Sequence, residues 1–296
     1  MLSKNIETFL SCDKGLIMKR DLYRIKKKWE EAGTVLFGAP FDSTTSYRPG
    51  SRFGSSAIRR ESYGIESYSP YQDKDLEDIA VFDSGDIELP LGDAALSLAQ
   101  IEERASAILE AGKRPFLLGG EHLVTLGAFR AAFAKYPDIH ILHFDAHADL
   151  RDDYLGVQLS HACVLRRCWE LVGDGKIFQF GIRSGDREEF RWGASHVNTH
   201  KFDLHGLEER LEQLGDTPVY FTLDLDVLDP SVFPGTGTPE PGGVSFEELR
   251  KAVTLVCQKA NVVACDVNEL SPPYDQSGVS TMVACKVVRE MLLALN

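Results

Sequence analysis

The sequence has no run approaching the roughly 18 to 20 consecutive apolar residues that a bilayer demands, so a membrane-spanning protein is not expected. Its opening, MLSKNIETFLSCDKG, lacks the uninterrupted apolar core of a signal peptide, which makes the cytoplasm the expected compartment. There is no CxxC pair. The six cysteines, at 12, 163, 168, 257, 265 and 285, lie partly in apolar runs such as Val262, Val263, Ala264 and Cys265, and read as reduced, mostly buried small hydrophobes. Positive charge is in deficit: 32 Lys and Arg stand against 45 Asp and Glu, a net charge of -13. Such a chain has no general field for phosphate backbones, so nucleic acid is not an expected partner. Internal repeats, low-complexity tracts and Pro/Ser-rich linkers are also missing, which argues for one domain.

What is present is ordinary globular material, 43% hydrophobic and 26% charged over 296 residues, enough for a sizeable core. Short apolar runs at 34–38, 79–84, 114–118, 139–145, 177–181, 218–225 and 261–267 predict strands. They are rich in Val, Ile and Phe, as strands covered on both faces should be. Helices are predicted between or after them at 94–112, 122–135, 205–214, 245–258 and 279–295, the fourth opening on a Ser245/Glu248 capping box. The alternation predicts a single-domain three-layer α/β/α fold with a mostly parallel central sheet over 34–296. Residues 1–33 form an extension in which Leu22, Ile25 and Trp29 have the spacing of a peripheral packed helix. Two Gly/Pro/Ser/Thr-dense loops, 41–56 and 230–243, follow strands and are either ligand-crevice loops or plain surface turns.

Chemistry concentrates at three strand ends. Asp145, His147 and Asp149 lie two apart in HFDAHAD, so on an extended backbone they point to one side. Asp224 and Asp226 repeat the spacing in LDLDV, and His122 closes GGEH where another apolar strand ends. Taken singly, each fragment is more often a capped turn or a tight strand-to-helix connection than a metal site. Together they offer four carboxylates and two imidazoles, a costly grouping of like charge unless cations neutralise it. The oxygen-rich mixture suits harder ions such as Mn2+, and the ligand number favours a pair sharing bridging carboxylates.

The motifs GGEH at 119–122, HFDAHAD at 143–149, LDLDVLDP at 223–230, PGTGTPEPGG at 234–243 and DVNELSPPYD at 266–275 together resemble the ureohydrolase family of arginases and agmatinases. The resemblance runs from about residue 34 almost to the C-terminus. It implies two Mn2+ per subunit, one held by His122, Asp145, Asp149 and Asp224, the other by Asp145, His147, Asp224 and Asp226. It implies further that Asp149 orients the nucleophile, that His161 shuttles a proton to the leaving amine, and that Glu269 binds the guanidinium. Each role suits its side chain: imidazole titrates near neutrality, and a carboxylate meets a guanidinium bidentately.

The segment 150–160 lacks the Asn with which arginases hold the α-carboxylate, and its wording, like that of FDSTTSYRPGSRFG, resembles bacterial and archaeal agmatinases. The expected reaction is therefore agmatine plus water giving putrescine and urea, a step of polyamine biosynthesis. Asp152 or Asp153 at the rim would favour this small cationic guanidino substrate, whereas Arg151 keeps arginine, guanidinobutyrate or a related guanidine open. A dinuclear phosphoesterase would want basic clamps, which the chain does not supply at the matching loop. The family also implies a homo-oligomer, a trimer or hexamer.

Overall fold

A computed structural model describes residues 22–25 and 27–296. Eight strands form one sheet: β1 (Thr34–Gly38), β2 (Val81–Asp86), β3 (Arg114–Leu118), β4 (His140–Phe144), β5 (Ile177–Ile182), β6 (Asn198–Lys201), β7 (Pro218–Asp224) and β8 (Asn261–Asn268). Their spatial order is β2-β1-β3-β8-β7-β4-β5-β6, and every pairing is parallel. Eight helices cover it: α1 (Gly54–Glu61), α2 (Ala94–Glu110), α3 (Val124–Lys135), α4 (Val164–Val172), α5 (Arg187–His196), α6 (Leu207–Leu214), α7 (Phe246–Lys259) and α8 (Val279–Leu295).

The helices divide between the two faces, and so does the core. Leu36, Phe116, Leu142, Phe221 and Val267 pack beneath α1, α6, α7 and α8, while their neighbours Val35, Leu117, Ile141, Tyr220 and Ala264 pack beneath α2, α3 and α4. Side-chain alternation along each strand produces both apolar surfaces from one continuous run, and the three-layer prediction follows from it.

The structure adds elements that apolar patterning passed over. β6 reads NTHK and is a half-exposed edge strand, so it carries no apolar run. α1 begins with Gly and two serines inside the segment read as a loop. α5 is announced by a capping box, Asp186 with Glu189. In the extension, residues 22–24 and 29–31 form short 3-10 turns rather than the continuous helix expected, because Tyr23 sits at φ 48 and breaks the run. Tyr23 and Leu22 are nevertheless buried, with the Tyr23 hydroxyl donating to the Cys285 carbonyl at 2.6 Å. The helical reading of the preceding residues, and Cys12, lie outside the described residues.

Parallel strands all present their C-terminal ends at one edge. The four central strands β3, β8, β7 and β4 end side by side there, and their trailing loops meet over a single crevice.

Candidate active site

Each loop is shaped by local chemistry. After β3, Gly119 and Gly120 lie where a Cβ would come within 1.8 Å of Asn268 Oδ1 and 2.0 Å of the Phe41 carbonyl oxygen. Their bareness lets Glu121 N donate to that carbonyl at 2.8 Å and Glu269 N donate to the Gly120 carbonyl at 2.9 Å. His122 is thereby brought against Glu269, whose Oε1 accepts its backbone N–H at 2.8 Å. After β4 the chain does not stay extended. Asp149 reaches the crevice from a left-handed turn at φ 54, not by continuing the strand. After β7, Asp224 caps a 3-10 turn by accepting the Asp226 N–H at 2.8 Å.

The six predicted donors converge. His122 Nδ1 lies 3.0 Å from Asp145 Oδ2, 3.1 Å from Asp149 Oδ2 and 3.4 Å from Asp224 Oδ2. His147 Nδ1 lies 3.0 Å from Asp226 Oδ2 and 3.5 Å from Asp145 Oδ1. Asp145 thus turns one oxygen to each histidine, an arrangement suited to bridging. All but His147 are buried. Burial drives the Asp224 carboxyl well above its usual range and Asp149 up to about 7, with neighbouring carboxylate charge adding to both. Burial also acts on Asp145, but hydrogen bonds with His122, His143 and His147 outweigh it and hold that carboxyl low. Oxygen donors packed this closely fit a divalent cation pair, whose charge would remove the repulsion.

His143, to which no site role was given, stands behind the donors. Gln179 is oriented by Thr199 Oγ1, which donates to its Oε1 at 2.8 Å, so the amide nitrogen faces His143 Nδ1 at 3.0 Å. The remaining ring nitrogen, Nε2, then carries the proton and donates to Asp145 Oδ2 at 2.8 Å. Its place two residues before Asp145 was the available signal.

Five of the donors floor a cavity of about 240 Å³ that Glu269 and His161 also line, with Asp145 buried just behind them. Burial pushes the Glu269 carboxyl well up, with Glu121 and Asp226 adding to it, and pushes His161 down to about 4, leaving a neutral ring. His161 stands in the turn capped by Ser160, with its ring edge-on to Tyr154. The rim differs from expectation. Asp152 turns away to pair with Arg167 at 2.6 Å, Asp153 accepts the Gly156 N–H at 3.0 Å, and neither lines the cavity. Asp186, at the end of the loop after β5, and Glu189, in the first turn of α5, line it instead, together with Arg151. Arg151 Nε lies 3.2 Å from Glu189 and 3.8 Å from Asp186, and its guanidinium covers the Tyr154 ring.

An all-parallel α/β/α sandwich with paired acidic and histidine donors at the ends of its central strands defines a class of metal-dependent hydrolase. The chain belongs to the Arginase family, which matches residues 32–294. It is 49% identical to the agmatinase of Bacillus subtilis over 271 residues, 90% of this chain and 93% of that protein. It is 35% identical to the mitochondrial guanidino acid hydrolase of Homo sapiens, over 90% of this chain and 79% of that one. The crystal structure of agmatine ureohydrolase from Thermoplasma volcanium superposes with a TM-score of 0.85 at 35% identity, covering 94% of each chain. Among the described residues no helix is long and apolar enough to cross a membrane.

Proposed function

We propose that this protein is an agmatinase, hydrolysing agmatine to putrescine and urea with two Mn2+ per subunit held by His122, Asp145, His147, Asp149, Asp224 and Asp226. The observation that carries this reading is the convergence of these donors, from three distant strand ends, on the cavity that Glu269 also lines. When bound, the two ions supply the Lewis acidity that makes water a nucleophile near neutral pH. Glu269 receives the planar guanidinium and turns its carbon toward the donor floor. Asp149, fixed by its left-handed turn beside His122, accepts a proton from the attacking water and holds the nucleophile in line. Addition of water to the guanidinium carbon and cleavage of its bond to the chain-bearing nitrogen leave urea and an amine. His161, neutral at physiological pH, takes up a proton and delivers it to that nitrogen as the bond breaks.

The rim supports an amine rather than a carboxylate at the far end of the substrate. Arg151 is engaged by two carboxylates, Asp186 and Glu189, so the rim keeps an excess of negative charge that favours an ammonium group and opposes the carboxylate of arginine. Because Arg151 does line the cavity, guanidino acids are the competing substrates. We extend the proposal to a cytoplasmic homo-oligomer, a trimer or hexamer, serving polyamine biosynthesis.

The test is urea release from Mn2+-loaded protein given agmatine, arginine and guanidinobutyrate side by side, with Asp226→Ala as control and metal content measured in both. Preference for agmatine, lost with the metal in the control, is expected. Comparable turnover of arginine would overturn the substrate, and full activity in a metal-free Asp226→Ala protein would overturn the metal pair.

A further inference from the structure

The ring and backbone of His161 are both held by one short segment that follows β1. Thr44 Oγ1 accepts the His161 backbone N–H at 3.3 Å, and Ser46 Oγ lies 3.4 Å from ring Nε2. The other ring nitrogen, Nδ1, is buried without a hydrogen-bond partner among the described residues, so Ser46 supplies the side-chain hydrogen bond to an imidazole that also packs edge-on against Tyr154.

That segment is fastened in turn by Glu121. Its carboxylate accepts the Thr44 backbone N–H at 3.1 Å, the Thr44 hydroxyl in a short contact, and the Thr45 hydroxyl at 2.8 Å. Burial pushes the Glu121 carboxyl up to about 7, and in its ionised form each of these bonds goes to a charged acceptor and is stronger than a neutral one. The Thr44 hydroxyl has a single hydrogen, and Glu121 takes it. The lone pairs of Thr44 Oγ1 are therefore left to face the His161 N–H, which fixes the polarity of the whole chain. Glu121 itself is 1% exposed and does not line the cavity. A buried carboxylate is costly to keep, and among the described residues every hydrogen bond of its side chain serves Thr44 or Thr45.

We infer that Glu121 is a positioning residue for His161, acting through Thr44 and Ser46; this rests on the proposed proton-carrying role of His161. The consequence is that proton delivery to the leaving amine depends on a loop some 115 residues earlier in sequence, a separation set by Ser46 and His161.

The test is a double-mutant cycle of Glu121→Gln and His161→Asn in the Mn2+-loaded full chain, with agmatine as substrate. Glu121→Gln is expected to lower kcat about 10- to 100-fold, as a small misplacement of a catalytic group does. KM should change by less than about threefold, and metal content should equal that of the wild type. The double variant should be no slower than His161→Asn alone, since a misplaced ring and a missing ring lose the same step. Multiplicative losses in the double variant overturn the inference, as does metal depletion in Glu121→Gln, which would mean that it acts through its neighbour His122. If Glu121→Gln does not fold, Thr44→Val carries the same cycle, because it removes the bridging hydroxyl and leaves Glu121 in place. A His161→Asn protein with wild-type turnover overturns the role of His161 itself; a slow His161→Asn with multiplicative losses overturns only the part of Glu121.

Discussion

The Nε2 of His122 stands 2.8 Å from the hydroxyl of Thr222, on the side of the ring away from the carboxylates. Thr222 Oγ1 donates its own hydrogen to Asp266 at 2.6 Å, so it can only accept from the imidazole. When the ring is neutral, its Nδ1 lone pair is thereby directed at the crevice, the form a metal requires. Asp266 is itself satisfied by Tyr220 at 2.5 Å and Asn268 at 2.7 Å.

From this pair we expect Thr222→Val to weaken metal binding roughly 10- to 100-fold while the protein stays folded, the usual effect of removing an orienting partner behind a ligand. Titration of the metal-free protein with Mn2+, followed by calorimetry, measures it. Unchanged affinity would mean that the Thr222 hydroxyl does not set the tautomer.

Acid should find a weakness at His161. Burial lowers its pKa from 6.5 to about 4, so between those values the unfolded chain binds more protons than the folded one. The stability associated with a neutral His161 is complete above pH 6.5 and declines as the pH falls toward 4. At pH 5 the loss amounts to ~2 kcal/mol. Urea denaturation of wild type and His161→Asn at pH 8 and pH 5 isolates it, because the variant lacks the titrating ring. An equal loss in the two proteins would assign the acid sensitivity to other groups.

The cysteines should be silent in the native protein. The five described cysteines are free and buried, and burial pushes the thiols of Cys163, Cys257 and Cys285 up to about 12 and those of Cys168 and Cys265 well up. A colorimetric thiol reagent at pH 8 is expected to titrate none of these five thiols in the folded protein and all six cysteines after denaturation. Fast reaction of two or more native thiols would contradict the burial.

Much of this site was legible because its residues sit on or beside strands. Alternation alone places Thr222 with Asp224, and Asp266 with Asn268, on one face of the sheet, and apolar runs mark where those strands end. Asp149 was found through its spacing, although the turn that delivers it is a backbone feature no residue type announces. Asp186 and Glu189 were passed over with α5 itself, whose polar segment carries no apolar run, and as its capping box they have a sufficient local reason to exist. Asp152 and Asp153 misled for the opposite reason: acidic residues close in sequence to a site can point away from it when an arginine such as Arg167 waits outside.

The fold followed the same division. Buried strands were plain from Val, Ile and Phe, whereas β6, polar and at the sheet edge, resembles a turn. The helix expected in the extension failed at Tyr23, whose side chain is drawn into the core beside Cys285 while its backbone N–H donates to Ser62 Oγ, at the expense of helical backbone.

The order of strands has a consequence for how the chain is made. β7 and β8 come last in sequence yet occupy the middle of the sheet, between β3 and β4. A chain leaving the ribosome with only its first six strands holds two half-sheets with a gap between them, each with a raw inner edge prone to mispairing. His122 and Asp145 belong to opposite sides of that gap, and the strands carrying Asp224 and Glu269 are the ones that fill it. A product truncated before β7 therefore holds His122 and Asp145 on separate half-sheets, and the donors come together only once the last two strands are in place.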